Sequence, residues 1–308
     1  MLGTKIFGRM FAKTETERET VARLKDFSML SISALSMLRV QARETRGAIL
    51  EIGPYIGGST CAVADAIRNT KRLFVTVECG GSYPNHPHLP SQNILQDLRK
   101  NLIAWHLEDQ VKVIAKPAFE AYGPLSEILQ SEKVDLLIID ADGNIGAHIF
   151  NLAPFLSDHC VIVLDDYNTA EKGPGVRSFV SAALENGSVE QIALDGGSTW
   201  FGRILTSAAE LPARPFLHEK DNCWISHTVV NCDSDNLKFP ASSQVRLFEN
   251  DVELGPAHSI HDDIRKSGRG RFSLWAGQLY FSASDNTNPN LNGRKYTARH
   301  ESTITALN

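Results

Sequence analysis

The 308-residue chain is expected to be an α/β protein: a mainly parallel sheet covered by helices on both faces, followed by a small β-rich module. Three observations predict this. Short apolar runs alternate with helical stretches through the middle of the chain. A glycine-rich turn follows the first of those runs, and two later runs end in matching carboxylates. After about Ser207 helical periodicity fades, while Gly, Asn, Asp, Ser and Pro become frequent.

The elements follow in order. Residues 14–46 are polar and then amphipathic, with Leu24, Phe27, Leu30, Leu35, Leu38 and Val40 near the spacing of a helical face, so one or two helices lead in. Strands are expected at 48–52, 73–77, 111–115, 134–140 and 160–165, and helices at 60–69, 93–107, 125–131 and 176–186. Short buried strands separated by helices form a parallel sheet with both faces covered. Runs at 189–194 and 199–205 are close enough to close the sheet as a hairpin. Beyond 215, residues 244–248 and 253–254 flank Glu249-Asn250-Asp251, and 271–275 and 278–282 flank Ala276-Gly277, so two β-hairpins are expected. The Asn-, Pro- and Gly-rich tract 286–296 reads as loop, with a frayed tail after Tyr296. The resulting division is an N-terminal helical segment at 1–45, an α/β domain at 46–207 and a β-rich module at 208–308.

Bulk properties narrow the function. Hydrophobic residues make up 42% and charged residues 22%, which suits a globular chain with a sizeable core. A net charge of -5 without a basic run argues against a nucleic-acid partner. The 5 cysteines show no Cys-x-x-Cys spacing, which argues against zinc and disulfide frameworks. Residues 1–13 hold no apolar run of signal-peptide length, and no segment reaches the ~20 apolar residues of a membrane helix, so a cytoplasmic protein with no membrane partner is expected.

Two constellations carry chemistry. The first strand runs into Glu51-Ile52-Gly53-Pro54-Tyr55-Ile56-Gly57-Gly58-Ser59-Thr60 and then a helix. Gly53 allows a tight turn, Gly57 and Gly58 allow close approach to a ligand, and Ser59 or Thr60 can cap the helix. Glu78 ends the second strand, where a carboxylate can accept hydrogen bonds from ribose hydroxyls. The second constellation is acidic: Ile139-Asp140-Ala141-Asp142 ends one strand and Leu164-Asp165-Asp166-Tyr167 the next. If those strands are neighbours, Asp140, Asp165 and Asp166 converge, and a divalent cation relieves their repulsion; magnesium fits, and manganese or calcium can substitute. The alternative is that these acids are helix caps or solvated loop residues. His148 is a second base candidate, or a helix residue packed inside. The loop 79–92, with Tyr83, His86 and His88, is placed to cover a ligand.

The segment Glu51-x-Gly53-x-x-x-Gly57-x-Ser59 resembles the cofactor loop of class I S-adenosylmethionine-dependent methyltransferases. The resemblance implies a Rossmann-like methyltransferase fold with a mostly parallel seven-stranded sheet. It implies that Glu51, Gly53, Tyr55, Gly57, Ser59, Glu78 and Asp140 bind S-adenosylmethionine. The acidic segments also resemble those of the metal-dependent sugar O-methyltransferases of macrolide and aminocoumarin biosynthesis. That likeness implies Asp140, Asp165 and Asp166 as ligands of Mg2+ or another divalent cation, and Asp142 as general base. It spans roughly residues 45–190. Two stretches depart from the pattern: Lys116-Pro117-Ala118-Phe119 replaces a Gly-Asp-Ser type segment near the adenine, and Gly143-Asn144-Ile145-Gly146-Ala147-His148 replaces a longer aromatic one. The implied activity is metal-assisted O-methyl transfer to a small hydroxylated acceptor, a sugar or natural product, with homo-oligomerisation left open. Metal-independent methyl transfer and a non-catalytic glycan-binding or scaffold protein are the alternatives. The glycine spacing disfavours an NAD-dependent dehydrogenase.

Overall fold

The computed structural model describes residues 15–196, 198–208, 211–212, 216–226, 233–275, 278–300 and 303–307. Residues 1–13, Cys232 and the turn Ala276-Gly277 lie outside the described residues. The chain divides into two compact units, one of residues 1–143 and 152–211, the other of residues 144–151 and 212–308.

The first unit is built on a seven-stranded sheet. Its strands are β1 (Ala48–Ile52), β2 (Phe74–Val77), β3 (Val111–Ile114), β4 (Val134–Ile139), β5 (Leu156–Leu164), β6 (Val189–Asp195) and β7 (Thr199–Ile204), in the order β3-β2-β1-β4-β5-β7-β6. β3 to β5 run parallel, while β7 lies antiparallel to both β5 and β6. All five residues of β1 and all six of β4 are buried, which is why these strands read as apolar runs broken only by Glu51 and Asp135. The helices are α1 (Glu15–Lys25), α2 (Ile32–Glu44), α3 (Gly58–Ala66), α4 (Ile94–Ala104), α5 (Ala118–Leu129), α6 (Ile145–Leu152) and α7 (Gly173–Glu185). Residues 144–151, most of α6, cluster with the second unit. Among the described residues no helix is long and apolar enough to cross a membrane.

Apolar side chains of α1 and α2 (Val21, Leu24, Leu35, Leu38) share one core with Ile49, Leu136 and Val161 of the sheet. Burying each such side chain contributes about 1.5–3 kcal/mol. A buried ion network fixes the same helices: Arg39 donates to Glu17 and Asp65, each at 2.7 Å, and Arg43 reaches Glu17 at 2.9 Å. The strand order reverses between β2 and β4 on either side of β1. Side chains at the carboxyl ends of these strands therefore open onto a crevice, which is where ligands collect in such sheets.

The second unit contains two four-stranded antiparallel sheets, whose strands are β8 (Phe216–Lys220), β9 (Cys223–Ser226), β10 (Arg246–Glu249), β11 (Val252–Glu253), β12 (Phe272–Trp275), β13 (Gln278–Phe281), β14 (Tyr296–His300) and β15 (Thr303–Ala306), with a short α8 (His261–Lys266). One sheet has the order β11-β10-β14-β15 and the other β12-β13-β9-β8. Leu247, Tyr296 and Ala298 from the first share a core with Phe216, Leu274, Leu279 and Phe281 from the second. Both expected hairpins form. The described residues after Tyr296 are paired and not frayed, because β14 pairs with β10 and β15, and the Tyr296 hydroxyl donates to the buried Glu249 at 2.7 Å. His261 stacks on Tyr280 with centroids 4.0 Å apart, so these polar aromatics pack on one another.

Candidate active site

The loop after β1 is shaped by backbone crowding. Gly53 has φ +83°, and a Cβ there would overlap the Asp140 carbonyl oxygen and sit 2.9 Å from the Ala141 Cα. Only glycine lets the ends of β1 and β4 lie this close. Gly57, at φ +90°, also sits in the left-handed region that favours glycine, and a Cβ there would press on the Leu98 side chain of α4 at 2.5 Å. Between them Tyr55 adopts φ +53°, held by its N–H donating to Glu78 at 3.1 Å and its hydroxyl donating to the Leu89 carbonyl at 2.5 Å.

Glu51 lies behind this loop. It is fully buried and accepts hydrogen bonds from the hydroxyls of Ser59 at 2.5 Å, Thr60 at 2.6 Å and Thr76 at 2.9 Å. Burial pushes its carboxyl above the usual range, and the three hydroxyls pull the other way. The expectation that Ser59 or Thr60 caps α3 does not hold: the N-cap is Gly57, without a side-chain bond, because both hydroxyls are committed to Glu51. Glu51 and Ser59 thus brace the loop from within, and Glu51 is absent from the cleft wall, although the resemblance places it on the cofactor. Glu78, at the end of β2, does face the cleft and also accepts from the Gly80 N–H at 2.8 Å.

The acidic strand ends converge as the parallel register demands. Ile139 of β4 aligns with Leu164 of β5, so Asp140 and Asp165 follow side by side. Asp140, Asp165 and Asp166 each offer an oxygen within 4.8 Å of the others, the one such carboxylate, His or Cys grouping among the described residues. Asp166 sits at φ +61°, a conformation Asp tolerates better than most residues. Burial, then the neighbouring Asp165, pushes the Asp140 carboxyl well above the usual aspartate range. Burial raises Asp165 as well, against the Thr199 hydroxyl, which donates to it at 2.6 Å. Crowded carboxylates of this kind are a hard, oxygen-only donor set that fits magnesium or manganese.

Two residues of this site were not singled out in the sequence. Thr199 comes from β7, across the hairpin. Lys172, just before α7, places its ammonium 2.7 Å from Asp166 and 3.9 Å from Asp140. Burial works against its charge, but the bond to Asp166 and the fields of Asp140 and Asp165 raise its pKa overall. No fixed motif spacing announces such a lysine; only the turn from β5 into α7 brings it back.

Gly53, Tyr55, Glu78, Asp140, Asp142 and Asp165 all line one cleft of about 810 Å³. Asp142 lies near the buried Tyr122, whose phenol is pushed up by burial and then by that carboxylate. His148 is fully buried within α6. The loop 79–92 folds on itself through paired backbone bonds between Tyr83 and Ser91 at 2.7 and 3.1 Å. Tyr83 and His86, rings 5.0 Å apart, line the cleft, and His86 Nδ1 accepts from the Leu89 N–H at 2.9 Å.

Residues 50–167 match the family model of a methyltransferase domain. Solved structures similar to this chain include an O-methyltransferase from Bacillus cereus in complex with SAH (20% identity, 65% of this chain and 96% of that one, TM-score 0.45). They also include the O-methyltransferase TomG from Streptomyces achromogenes, involved in tomaymycin synthesis, in complex with SAM (18% identity, 66% and 94%, TM-score 0.45). A third is the SAH-bound methyltransferase PaMTH1 from Podospora anserina (19% identity, 66% and 97%, TM-score 0.45). No curated protein sequence matches the chain. The matched methyltransferase domain thus runs from within β1 to just beyond β5, over the strand ends that carry Glu78 and the three aspartates.

Proposed function

We propose that this enzyme transfers the methyl group of S-adenosylmethionine to a hydroxyl of a small acceptor, with a divalent cation held by Asp140, Asp165 and Asp166. The observation that carries this reading is the single cleft joining Glu78 at one strand end to three crowded carboxylates at two others. Its volume of about 810 Å³ suits a nucleoside donor with an acceptor beside it. Gly53, Tyr55 and Asp140 line the donor end, Glu78 accepts from the ribose hydroxyls, and Glu51, Gly57 and Ser59 keep the loop in shape. Residues 46–207 carry the activity, in a cytoplasmic setting to which the free Cys61, Cys79, Cys160 and Cys223 are suited.

Methyl transfer is an in-line displacement at carbon, so positioning supplies much of the rate. A divalent cation supplies a Lewis acid that lowers the pKa of an acceptor hydroxyl. Asp142, on the same wall as Asp140, accepts the proton the hydroxyl gives up as the carbon–oxygen bond forms and the carbon–sulfur bond breaks. Thr199 holds Asp165 in place, and Tyr83 and His86 line the mouth of the cleft. Neighbouring hydroxyls chelate a hard ion best, which favours sugars and other vicinal diols as acceptors. The placement of Lys172 favours one second reading, transfer without metal, in which this ammonium supplies the positive charge.

The test is methyl transfer from isotopically labelled donor to a panel of sugars, catechols and amines, with magnesium or with excess chelator. Turnover that needs magnesium and disappears in Asp165→Ala supports the metal-assisted reading. Turnover indifferent to chelator selects the second reading, and labelled product on nitrogen acceptors alone contradicts oxygen transfer.

A further inference from the structure

Resting on the metal-assisted reading, we infer that Lys172 is an internal counter-cation whose ammonium competes with the divalent ion for the acidic cluster. Metal binding is then an exchange: the ion enters as the ammonium leaves Asp166. The ammonium lies 2.7 Å from one ligand candidate and 3.9 Å from another, inside the grouping that would coordinate the ion. Two cations cannot share that space without strong repulsion.

The lysine is held there by backbone packing. Its carbonyl accepts from the N–H groups of Gly175 at 3.1 Å and Val176 at 3.3 Å in the first turn of α7. A Cβ on Gly143 would lie 2.7 Å from that carbonyl oxygen, and a Cβ on Gly175 would overlap the Gly143 oxygen. Two glycines thus let the chain after β4 and the start of α7 touch backbone to backbone, which returns Lys172 to Asp140 and Asp166. The side chain is 33% exposed, so the flexible stem has a route to water when displaced. The exchange keeps the crowded carboxylates partly neutralised when no ion is bound, and it sets metal affinity below what three bare carboxylates give.

The test is calorimetric titration of the full chain with manganese chloride, comparing wild type, Lys172→Met and Lys116→Met. Lys116 lines the same cleft but, among the described residues, pairs with none of the cluster's carboxylates, so it reports the general loss of one positive charge. The exchange predicts that Lys172→Met binds manganese about tenfold more tightly, with Lys116→Met within about twofold of wild type. Peptide mass spectrometry of wild type treated with acetic anhydride gives a second readout without any variant. Manganese should speed acetylation of Lys172 severalfold and leave Lys116 unchanged. Equal manganese affinity in wild type and Lys172→Met, with unchanged acetylation, overturns the exchange and leaves the metal site standing. Absence of manganese binding in every protein, at millimolar concentration, overturns the exchange and the metal-assisted reading together.

Discussion

At the scale of single residues, the acidic cluster divides the work between groups of one chemical type by giving each a different environment. Asp165 is fixed by Thr199 and Asp166 by Lys172, whereas Asp142 lines the cleft near Tyr122 and outside the tight grouping. Asp142→Asn should therefore lower turnover by about 10²–10⁴-fold while S-adenosylhomocysteine affinity stays within a factor of about two. Steady-state kinetics alongside calorimetry checks this, and wild-type turnover would remove Asp142 from the proton transfer. Thr199→Val deletes the one hydroxyl that holds Asp165; it should cost about 1 kcal/mol of stability and weaken manganese binding, as measured by denaturant unfolding and titration. The acids were legible in the sequence because they end apolar runs that could only be neighbouring strands. Thr199 and Lys172 were not, since their relation to the acids is set by the β5–β7 pairing and by the turn into α7. Glu51 illustrates the opposite limit: its place in the motif was legible, but its three buried hydroxyl partners belong to the three-dimensional arrangement alone.

Among elements, strands declared themselves better than helix ends. β1, β2 and β4 are buried on both faces, so their runs are apolar apart from one buried polar residue each, Glu51, Thr76 and Asp135. β5 begins at Leu156, earlier than its apolar run, because Ser157, Asp158 and His159 give that stretch a polar appearance. Pro124 hid the start of α5, which runs through it from Ala118, since an interior proline ordinarily ends a helix. The lead-in helices supply a pH signature. Glu17 is drawn down to about 2, chiefly by its bond to Arg39, with burial opposing and Arg43 adding. A carboxyl whose folded pKa is depressed contributes stability above its ordinary value of 4.5 and loses it as pH falls toward about 2. Glu17→Gln should thus cost about 2 kcal/mol at pH 7, allowing for its partial exposure, and progressively less below pH 4.5, as followed by urea unfolding. A difference independent of pH would show that packing, not the ion pair, ties α1 to α2.

Across the whole molecule, the chain is an α/β unit that carries the matched methyltransferase domain and a β unit, each with its own hydrophobic core. The composition changes near Ser207, and the two units divide after Leu211. What composition did not show is that residues 144–151, in the crossover between β4 and β5, cluster with the β unit. A chain ended after Leu211 keeps the seven strands but loses the rest of the unit to which that segment, with its buried His148 and Ile149, belongs. It should melt at least about 5 °C below the full chain by calorimetry. Equal melting would show that α6 depends on nothing beyond residue 211. The most direct test of the central claim is a calorimetric titration of the full chain with S-adenosylhomocysteine, with magnesium and with excess chelator. The predicted result is one-to-one micromolar binding, with a separate magnesium-induced thermal stabilisation that is lost in Asp165→Ala. Failure to bind S-adenosylhomocysteine under either condition would contradict a methyltransferase that uses this cleft.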